Sequence, residues 1–254
     1  MPYLGRKQRE LQRRVDLILQ VGRELLLDSG YRGLTMTRIA ELTEYSKGTI
    51  YQHFSCKEEI VQKLAAKSTE KLVELLLRVQ SYQGSALLKL GLVAEAMFLF
   101  YRLYPVEFSL LSTIRSKAVR ERISAKHYAE LESRVQAAMG IVKEIISEGV
   151  KNDELELDKT LIPEELAAGV WFMLYGALNL HEGKSQEDDE IDKYFQLTRK
   201  NFQYYVACWP WASANDERAG VEELRRCVSA AKNELFTDEV AGLGKQVVKP
   251  NLCT

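Results

Sequence analysis

The sequence predicts an all-α fold in which a small helix-turn-helix domain precedes a larger helical domain. Apolar residues recur every three or four positions along most of the 254 residues, and no stretch keeps the period of two that is typical of strands. Between residues 34 and 59, two hydroxyl residues each stand directly ahead of a short apolar period. This arrangement indicates two short capped helices in quick succession, as in a helix-turn-helix.

Composition and charge limit the class of protein. With 46% hydrophobic and 28% charged residues, the chain is suited to one or two packed domains. Residues 1–60 hold ten Lys and Arg against eight Asp and Glu, a net charge of +2, and the remainder holds 25 against 28, a net charge of −3. The sign of this asymmetry suits a nucleic-acid-binding end joined to a body that does not bind nucleic acid.

The sequence contains no pattern typical of a cofactor, metal or catalytic site. The four cysteines lie far apart and include no C-x-x-C pair, so neither a zinc site nor a disulfide framework is predicted. No nucleophile-elbow, phosphate-loop or dinucleotide motif occurs, which argues against an enzyme. No export segment or membrane-length apolar run stands out, so we expect a cytoplasmic protein with no membrane partner.

The first predicted helix runs from Arg6 to Ser29 and is amphipathic. It ends at Gly30, a residue type that commonly follows the last turn of a helix. Basic residues crowd its first turns, which in isolation indicates a solvated helix face. They are Arg6, Lys7, Arg9, Arg13 and Arg14.

Two short helices and the start of a third follow within 26 residues. Thr35 is the predicted cap of a short helix that begins at Met36, and Ser46 is the predicted cap of a second, from Lys47 to Phe54. Ser55 and Glu58 have the spacing of a capping box, which predicts a third helix from Lys57 to about Tyr82. The second helix turns Ile50 and Phe54 inward and leaves an outward face that is entirely polar.

These residues carry a resemblance to a known family. The segments T-x-T-R-I-A-E at 35–41, S-K-G-T-I-Y-Q-H-F at 46–54 and S-C-K-E-E-I at 55–60 resemble the DNA-binding domain of the TetR family of bacterial transcriptional regulators. The resemblance covers roughly the first sixty residues. The sequence departs from the family at Glu44, which stands in the turn where the family usually has Gly, and a left-handed conformation there costs about 1 to 2 kcal/mol for a non-Gly residue.

The resemblance implies that the second short helix enters the major groove of a double-stranded operator. Lys47, Thr49 and Gln52 are then placed to reach base edges, and Tyr51 and His53 to donate to phosphate oxygens. Gly48 would let the backbone approach a phosphate closely. The basic start of the first helix becomes a candidate for phosphate contact, as in other family members. The predicted DNA-binding residues are Thr37, Arg38, Lys47, Gly48, Thr49, Tyr51, Gln52, His53 and Lys57.

The remaining sequence predicts a succession of helices. They are predicted at 86–104, 106–116, 119–151, 164–181 and 191–209, and one amphipathic helix is predicted in the tail at 221–235. The stretch 164–181 is apolar on all sides, which predicts a helix that is buried all round. We therefore predict a DNA-binding domain at 1–56, an effector-binding and dimerisation domain at 57–209 and an extension at 210–254.

Two aromatic clusters in the body are candidates for a ligand pocket, although ordinary core packing is the competing interpretation. The resemblance implies a helical body that binds a small molecule, and an apolar cavity with a few polar groups suits such a ligand. The predicted ligand-binding residues are Met97, Phe98, Tyr101, Arg102, Tyr104, Phe108, Trp171, Phe172 and Tyr175.

The sequence thus predicts a ligand-responsive, homodimeric DNA-binding regulator, with a repressor as the expected form. A small apolar or aromatic effector would release it from a near-palindromic operator. The small residues of 166–180 suggest a dimer interface shared with 194–206. The alternative is a DNA-binding adaptor that a protein partner controls through the extension. The effector, the operator and the role of 210–254 stay open at this stage.

Overall fold

The computed structural model describes residues 5–115, 120–122, 125–181, 188–212 and 217–246. In these ranges the only pairing of strand type is an isolated antiparallel bridge between Leu155 and Trp211, so the predicted all-α fold is confirmed. The helices are α1 (Arg6–Gly33), α2 (Met36–Thr43), α3 (Lys47–His53), α4 (Lys57–Ser81), α5 (Ala86–Leu103), α6 (Pro105–Arg115), α7 (Ala125–Lys151), α8 (Pro163–His181), α9 (Asp188–Ala207), α10 (Glu217–Leu235) and α11 (Thr237–Gln246).

The helices form two compact units. The first comprises Met1–Ser68 and Val106–Ser133, and the second comprises Thr69–Pro105 and Arg134–Thr254. By chain position α6 therefore belongs with the helix-turn-helix, whereas the extension belongs with the body. The functional division at residues 56 and 209 stays a prediction.

The first unit is built around α1, α2, α3 and the start of α4. Helix α2 packs against both α1 and α3, and the side chains of Ile18, Ile39 and Ile50 are completely buried. Gly22 lets α1 approach α4 closely, since a Cβ at this position would lie 3.0 Å from a methyl carbon of Ile60. An ion pair between Arg23 and the buried Glu107 ties α1 to α6.

The structure revises the predicted end of α1 and the predicted cap of α4. Gly30 has the expected left-handed φ of +64°, but the helical segment continues past it to Gly33. The predicted capping box between Ser55 and Glu58 is wrong, because α4 begins at Lys57 and so puts Glu59 at its third position. The Glu59 carboxylate accepts from the backbone N–H of Ser55 at 2.7 Å.

The start of the seventh helix is also later than predicted. Residues 121–122 form a turn, and the helix begins at Ala125 instead of residue 119. Arg122 donates from its guanidinium to Glu58 at 3.2 Å, and its carbonyl accepts a contact from the Cys56 thiol at 3.7 Å. These contacts within the first unit stabilise the turn.

The second unit is organised around α5, which contacts α8, α9, α10 and α11. Its residues from Leu90 to Phe100 are all buried, including the carboxylate of Glu95. Glu95 accepts two hydrogen bonds from Arg199 of α9, at 2.5 and 3.0 Å, and lies 3.3 Å from the ammonium of Lys232 of α10. This buried charge is therefore fully paired and joins three helices.

The extension is part of the body core. The predicted amphipathic helix is confirmed as α10, whose stripe of Val221, Leu224, Val228 and Ala231 is at most 5% exposed. A further helix, α11, was not predicted, because its glycines obscure the apolar period. Before these helices, Pro210 accepts from the backbone N–H of Glu156 at 3.0 Å. Of the possible roles of the extension, these contacts support packing against the body.

Helix α8 is not buried all round, contrary to the prediction. Its inner side holds Val170, Leu174 and Leu178, which are at most 1% exposed, whereas Phe172 and Leu180 are 70% and 75% exposed. Helix α8 is therefore apolar both on the side that packs against the rest of the chain and on the side that is exposed to solvent.

Candidate nucleic-acid interface

The helix-turn-helix has the capped geometry that the sequence predicts. The hydroxyl oxygen of Thr35 accepts from the backbone N–H of Arg38 at 3.2 Å, and that of Ser46 accepts from the N–H of Thr49 at 3.1 Å. Each cap satisfies an N–H that the first turn of its helix leaves without a backbone partner. Helices α2 and α3 consequently begin at fixed residues, Met36 and Lys47.

The turn between these helices retains a left-handed residue despite the missing glycine. Glu44 adopts φ 57° and ψ 22°, and its N–H donates to Glu41 at 3.3 Å. The next residue, Tyr45, donates its N–H to Ala40 at 3.1 Å. The conformation costs about 1 to 2 kcal/mol for a non-Gly residue. Glu44 therefore adopts the left-handed conformation although it stands where the family usually has Gly.

The outward face of α3 is polar and accessible. Lys47, Gly48, Tyr51 and Gln52 are exposed, with Tyr51 exposed at 54%. Among the described residues, the side chains of Lys47, Tyr51 and Gln52 have no hydrogen-bond partner. Three groups with donor capacity thus lie on one short helix whose inner side is fixed by the buried Ile50.

Thr49 and His53 complete this face and are partly exposed. The hydroxyl of Thr49 lies 2.8 Å from that of Ser46, so it is engaged with the helix cap. A Cβ added to Gly48 would meet nothing closer than the Ser46 hydroxyl, at 3.7 Å. Packing among the described residues therefore does not account for glycine at position 48.

Arg38 is committed to contacts inside the first unit. Its guanidinium donates to the Ser29 hydroxyl at 2.8 Å and to the Gly33 carbonyl at 3.1 Å, and it lies 3.7 Å from the Asp28 carboxylate. These contacts hold the end of α1 beside α2. Its neighbour Thr37 is exposed, so the side chain of Thr37 is available to a ligand.

Lys57 is positioned by the end of α1. Its ammonium donates to the carbonyl of Tyr31 at 3.0 Å and lies 4.0 Å from the centre of the Tyr31 ring, within cation–π range. The Tyr31 hydroxyl donates to Glu58 at 2.8 Å. Burial and this hydrogen bond raise the pKa of Tyr31 to about 12. The ring that supports Lys57 is thus itself fixed by a carboxylate, a contact that sequence reasoning missed.

Glu58 is the buried acid of this cluster. Burial alone would raise the pKa of the Glu58 carboxyl, but hydrogen bonds from Tyr31, its own backbone N–H, Cys56 and Arg122 outweigh burial and lower it. The carboxylate is therefore the favoured form, and it links α1, α4 and the turn at Arg122. Burial raises the pKa of the Cys56 thiol.

The basic start of α1 is exposed to solvent. Residues Arg6 to Arg13 are exposed, and Arg14 forms an ion pair with Glu10 at 3.3 Å. An exposed i,i+4 pair of this kind is worth only a few tenths of a kcal/mol. The cationic side chains of this segment are accessible to an anionic polymer.

The predicted ligand-binding residues do not form one cluster. Met97 and Phe98 are buried, and Phe98 stacks on Phe195 with ring centres 4.9 Å apart. Tyr101 meets the same ring edge-on at 5.6 Å, and Arg102 lies over it at 5.5 Å. Phe195 of α9, which the sequence prediction omitted, therefore fills the space beside α5.

The other predicted ligand residues lie elsewhere. Trp171 and Tyr175 stack on each other within α8, with ring centres 6.1 Å apart, whereas Phe172 points to solvent. The ring centres of Tyr104 and Phe100 lie 5.6 Å apart. Phe108 is buried in the first unit, whereas the other eight residues belong to the second.

Two pockets in the second unit involve α10 instead of the predicted residues. The first, of about 570 Å³, is lined by Leu77, Arg78, Ser81, Tyr82, Gln83, Glu234 and Leu235. The second, of about 430 Å³, is lined by Gln196, Arg199, Lys200, Gln203, Tyr204, Glu222 and Arg225. Sequence reasoning missed both, because each depends on where α10 packs.

Within the described ranges, no group of three or more His, Cys, Asp or Glu side chains is arranged to hold a metal ion. No helix of these ranges is long and apolar enough to cross a bilayer.

Comparison with known proteins assigns the helix-turn-helix. The family model of the bacterial regulatory proteins of the tetR family matches residues 18–64. The transcriptional regulator TcmR of Streptomyces glaucescens is 39% identical over 56 residues, which are 22% of this chain and 25% of that protein. QacR of Staphylococcus aureus is 44% identical over 45 residues, 18% of this chain and 24% of that protein. The matched segment thus spans about a quarter of these relatives.

Solved structures share the fold over a longer range. A TetR/AcrR-family regulator from Thermobifida fusca aligns over 74% of this chain and 97% of its own, with a TM-score of 0.58 and 18% identity. The MbdR regulator from Azoarcus aligns over 74% and 95%, with a TM-score of 0.57 and 19% identity. At this identity the likeness concerns the fold, and it agrees with the assignment of the helix-turn-helix. Over residues 18–64 the chain is therefore similar to the tetR family of bacterial regulatory proteins.

Proposed function

We propose that this protein is a DNA-binding transcriptional regulator whose reading helix is α3. The proposal rests on the exposed polar face formed by Lys47, Tyr51 and Gln52. This face lies on a helix that is capped by Ser46 and that packs through the buried Ile50. A short helix with such a face fits the major groove. We expect no catalytic activity from the chain.

The contacts divide by chemistry. Lys47 and Gln52 have flexible polar ends that suit base edges, whereas Tyr51 and His53 suit phosphate oxygens. Lys57, supported by the Tyr31 ring, is placed to contact a phosphate as well. Arg38 stays a proposed DNA contact, and its hydrogen bonds to Ser29 and Gly33 also position α2.

The protein acts as a homodimer in this proposal, through α8 and α9. Phe172 and Leu180 of α8 are exposed, and Leu197 and Tyr204 of α9 are exposed at 55% and 42%. Exposed large apolar side chains on neighbouring helices are typical of a protein interface. Gly176 lies on the same helix with no atom near its missing Cβ, which leaves room for a second helix to approach.

The expected mode of action is repression that a small effector relieves. Helices α4, α6 and α7 each contain residues of both compact units, so the chain passes between the reading head and the body three times. An effector that favours a body conformation in which the two reading heads are wrongly spaced must weaken DNA binding by the same factor by which DNA weakens effector binding. The aromatic residues around Phe195 and the stacked pair in α8 remain the proposed effector region.

The adaptor alternative required an apolar tail helix that is free to bind a partner. In the structure the stripe of α10 is buried against the body, and Lys232 pairs with Glu95. The apolar stripe of α10 is therefore not available to a partner protein.

Selection from a random duplex library with the full chain tests the proposed function. We expect enrichment of a near-palindrome, and footprinting should protect two half-sites whose centres are about 34 to 36 Å apart, or a multiple of that distance. A library that yields no enriched sequence at low salt would contradict the assignment of α3.

A further inference from the structure

The second pocket, of about 430 Å³, is formed by residues of α9 and α10. Its volume is within the range of about 300 to 1,000 Å³ that is typical of sites for small molecules. The described lining combines two adjacent cations of α9, Arg199 and Lys200, with Arg225 of α10. The acid in this lining is Glu222, whose carboxylate accepts from Arg225 at 2.7 Å. Basic groups therefore outnumber acidic groups in the pocket wall.

The charge of α9 is one-sided over most of its length. From residue 193 to residue 207 the sequence contains Lys and Arg but no Asp or Glu. A helix places ion-pair partners three or four positions apart, and around Lys200 those positions hold Gln196, Leu197, Gln203 and Tyr204. Lys200 is exposed, and among the described residues its ammonium has no ion pair or hydrogen bond.

Arg199 is fixed in a geometry that leaves part of its guanidinium available. It donates to both carboxylate oxygens of Glu95, and its central carbon lies 4.7 Å from the centre of the Phe98 ring. A guanidinium has five N–H donors, so about three remain for a ligand. The side chain is 28% exposed and lines the pocket. The buried Glu95 therefore holds Arg199 in place without using all of its donors.

Gln203 is the buried polar residue of the lining, at 5% exposure. Its amide oxygen accepts from the Nε–H of Arg225 at 3.3 Å. Among the described residues, its NH₂ group has no hydrogen-bond partner. A polar group that is this deeply buried needs a partner, which a ligand in the pocket can supply. The unused hydrogen-bonding capacity of Arg199, Lys200, Gln203 and Arg225 thus consists of donors.

We propose that this pocket binds a small multivalent anion that carries carboxylate or phosphate groups. The oxygens of these groups accept several hydrogen bonds, and arginine binds them through two parallel N–H donors. Arg199, Lys200 and Arg225 supply the positive charge, and the amide of Gln203 supplies a further donor. The site belongs to the second unit and contains none of the residues proposed to contact DNA, so the inference goes beyond the proposed function and is independent of it.

Calorimetric titration of the full chain with pyrophosphate and with citrate, at fixed ionic strength, tests the site and distinguishes phosphate from carboxylate ligands. We expect saturable binding of at least one of the two anions. Lys200→Gln should weaken this binding about tenfold, the lower end of the effect of one hydrogen bond to a charged group. Lys193→Gln is the matched control with an unchanged Kd, because Lys193 is an exposed cation of the same helix outside the pocket lining.

Glu222→Gln separates recognition of the anion from a general effect on the fold. It removes the acid that neutralises Arg225, so it should strengthen anion binding, by about two- to fivefold for a partly exposed charge. A merely structural defect would weaken binding instead. Glu223→Gln is its control, because Glu223 carries the same charge, pairs with Arg226 and does not line the pocket.

Two results would overturn the inference. One is the absence of binding by both pyrophosphate and citrate. The other is an anion affinity that Lys200→Gln and Glu222→Gln leave unchanged, which would assign the bound anion to other cations of the chain. These titrations contain no DNA, so their failure would leave the proposed function standing, and failure to select an operator would leave the anion site standing.

Discussion

At the scale of the residue, the side chains of α3 have two different tasks, and substitution should separate them. Tyr51→Ala should weaken binding to all duplexes alike, because phosphate contacts carry no sequence information. Gln52→Ala should relax the preference at one base pair by about 1 to 3 kcal/mol. Titration of cognate and single-substituted duplexes at fixed salt measures both effects. Unchanged affinity in both variants would contradict the assignment of these two contacts.

Tyr31 should act on DNA binding through Lys57, which its ring and carbonyl position. Tyr31→Leu removes the ring, so we expect weaker DNA binding. The slope of the logarithm of affinity against the logarithm of salt concentration should fall in magnitude by up to about 1, which is the decrease expected for Lys57→Gln. Tyr31→Phe keeps the ring and is the matched control, with an unchanged slope. Equal slopes for the Leu and Phe variants would show that the ring does not position Lys57.

Glu58 should make the first unit sensitive to acid. Its pKa is lowered from an ordinary 4.5, so the folded state binds this proton less readily than the unfolded chain does. The stabilisation is present above about pH 4.5 and is lost as the pH falls through the lower folded pKa. We expect the unfolding midpoint of Glu58→Gln to lie below that of the wild type at pH 7, and the difference to shrink at pH 3. A constant difference would argue against this linkage.

At the scale of the element, the close approach of α10 to α5 depends on Gly91. A Cβ there would overlap the side chain of Val228. We expect Gly91→Ala to destabilise the protein by about 1 to 3 kcal/mol in urea unfolding. Gly140→Ala in α7 is the control, since its Cβ would meet no atom and should stabilise the helix by roughly 0.5 to 1 kcal/mol.

The double variant Gly91→Ala, Val228→Ala checks the cause of that destabilisation. Removal of the Val228 methyl groups makes room for the new Cβ, so the two substitutions together should cost less than the sum of their separate effects. Additive effects would mean that the loss at Gly91 does not arise from contact with α10.

The sequence predicted those elements whose signals are local. Thr35 and Ser46 act within one helical turn, and each has the predicted role of an N-cap. Contacts between distant parts of the chain could not be predicted in this way. Arg38 donates to Ser29 and Gly33 while its side chain stays 42% exposed, and Phe195 stacks on Phe98. Periodicity shows which face is apolar, but not which helix covers it.

At the scale of the whole molecule, the exposed apolar side of α8 is the proposed dimer interface. Gly176→Arg places a bulky charge on the proposed interface, so we expect monomers or aggregates in light scattering instead of a dimer. Gly220→Arg in α10 is the matched control, since this exposed position also has no atom near its missing Cβ. A dimer of normal mass for Gly176→Arg would mean that the interface lies elsewhere.

The proposed response to an effector connects assembly to DNA, because the two-fold axis of a dimer fixes the distance between its two reading helices. An effector bound among the aromatic residues of the body should change that distance without unfolding either head. Tyr101→Ala and Trp171→Ala should therefore abolish effector-induced release from the operator while operator affinity is unchanged. Both side chains also pack against neighbours, so unfolding must first show that the variants are folded. Release that persists in folded variants would move the effector site away from these rings, and the pockets lined by α10 would be the next candidates.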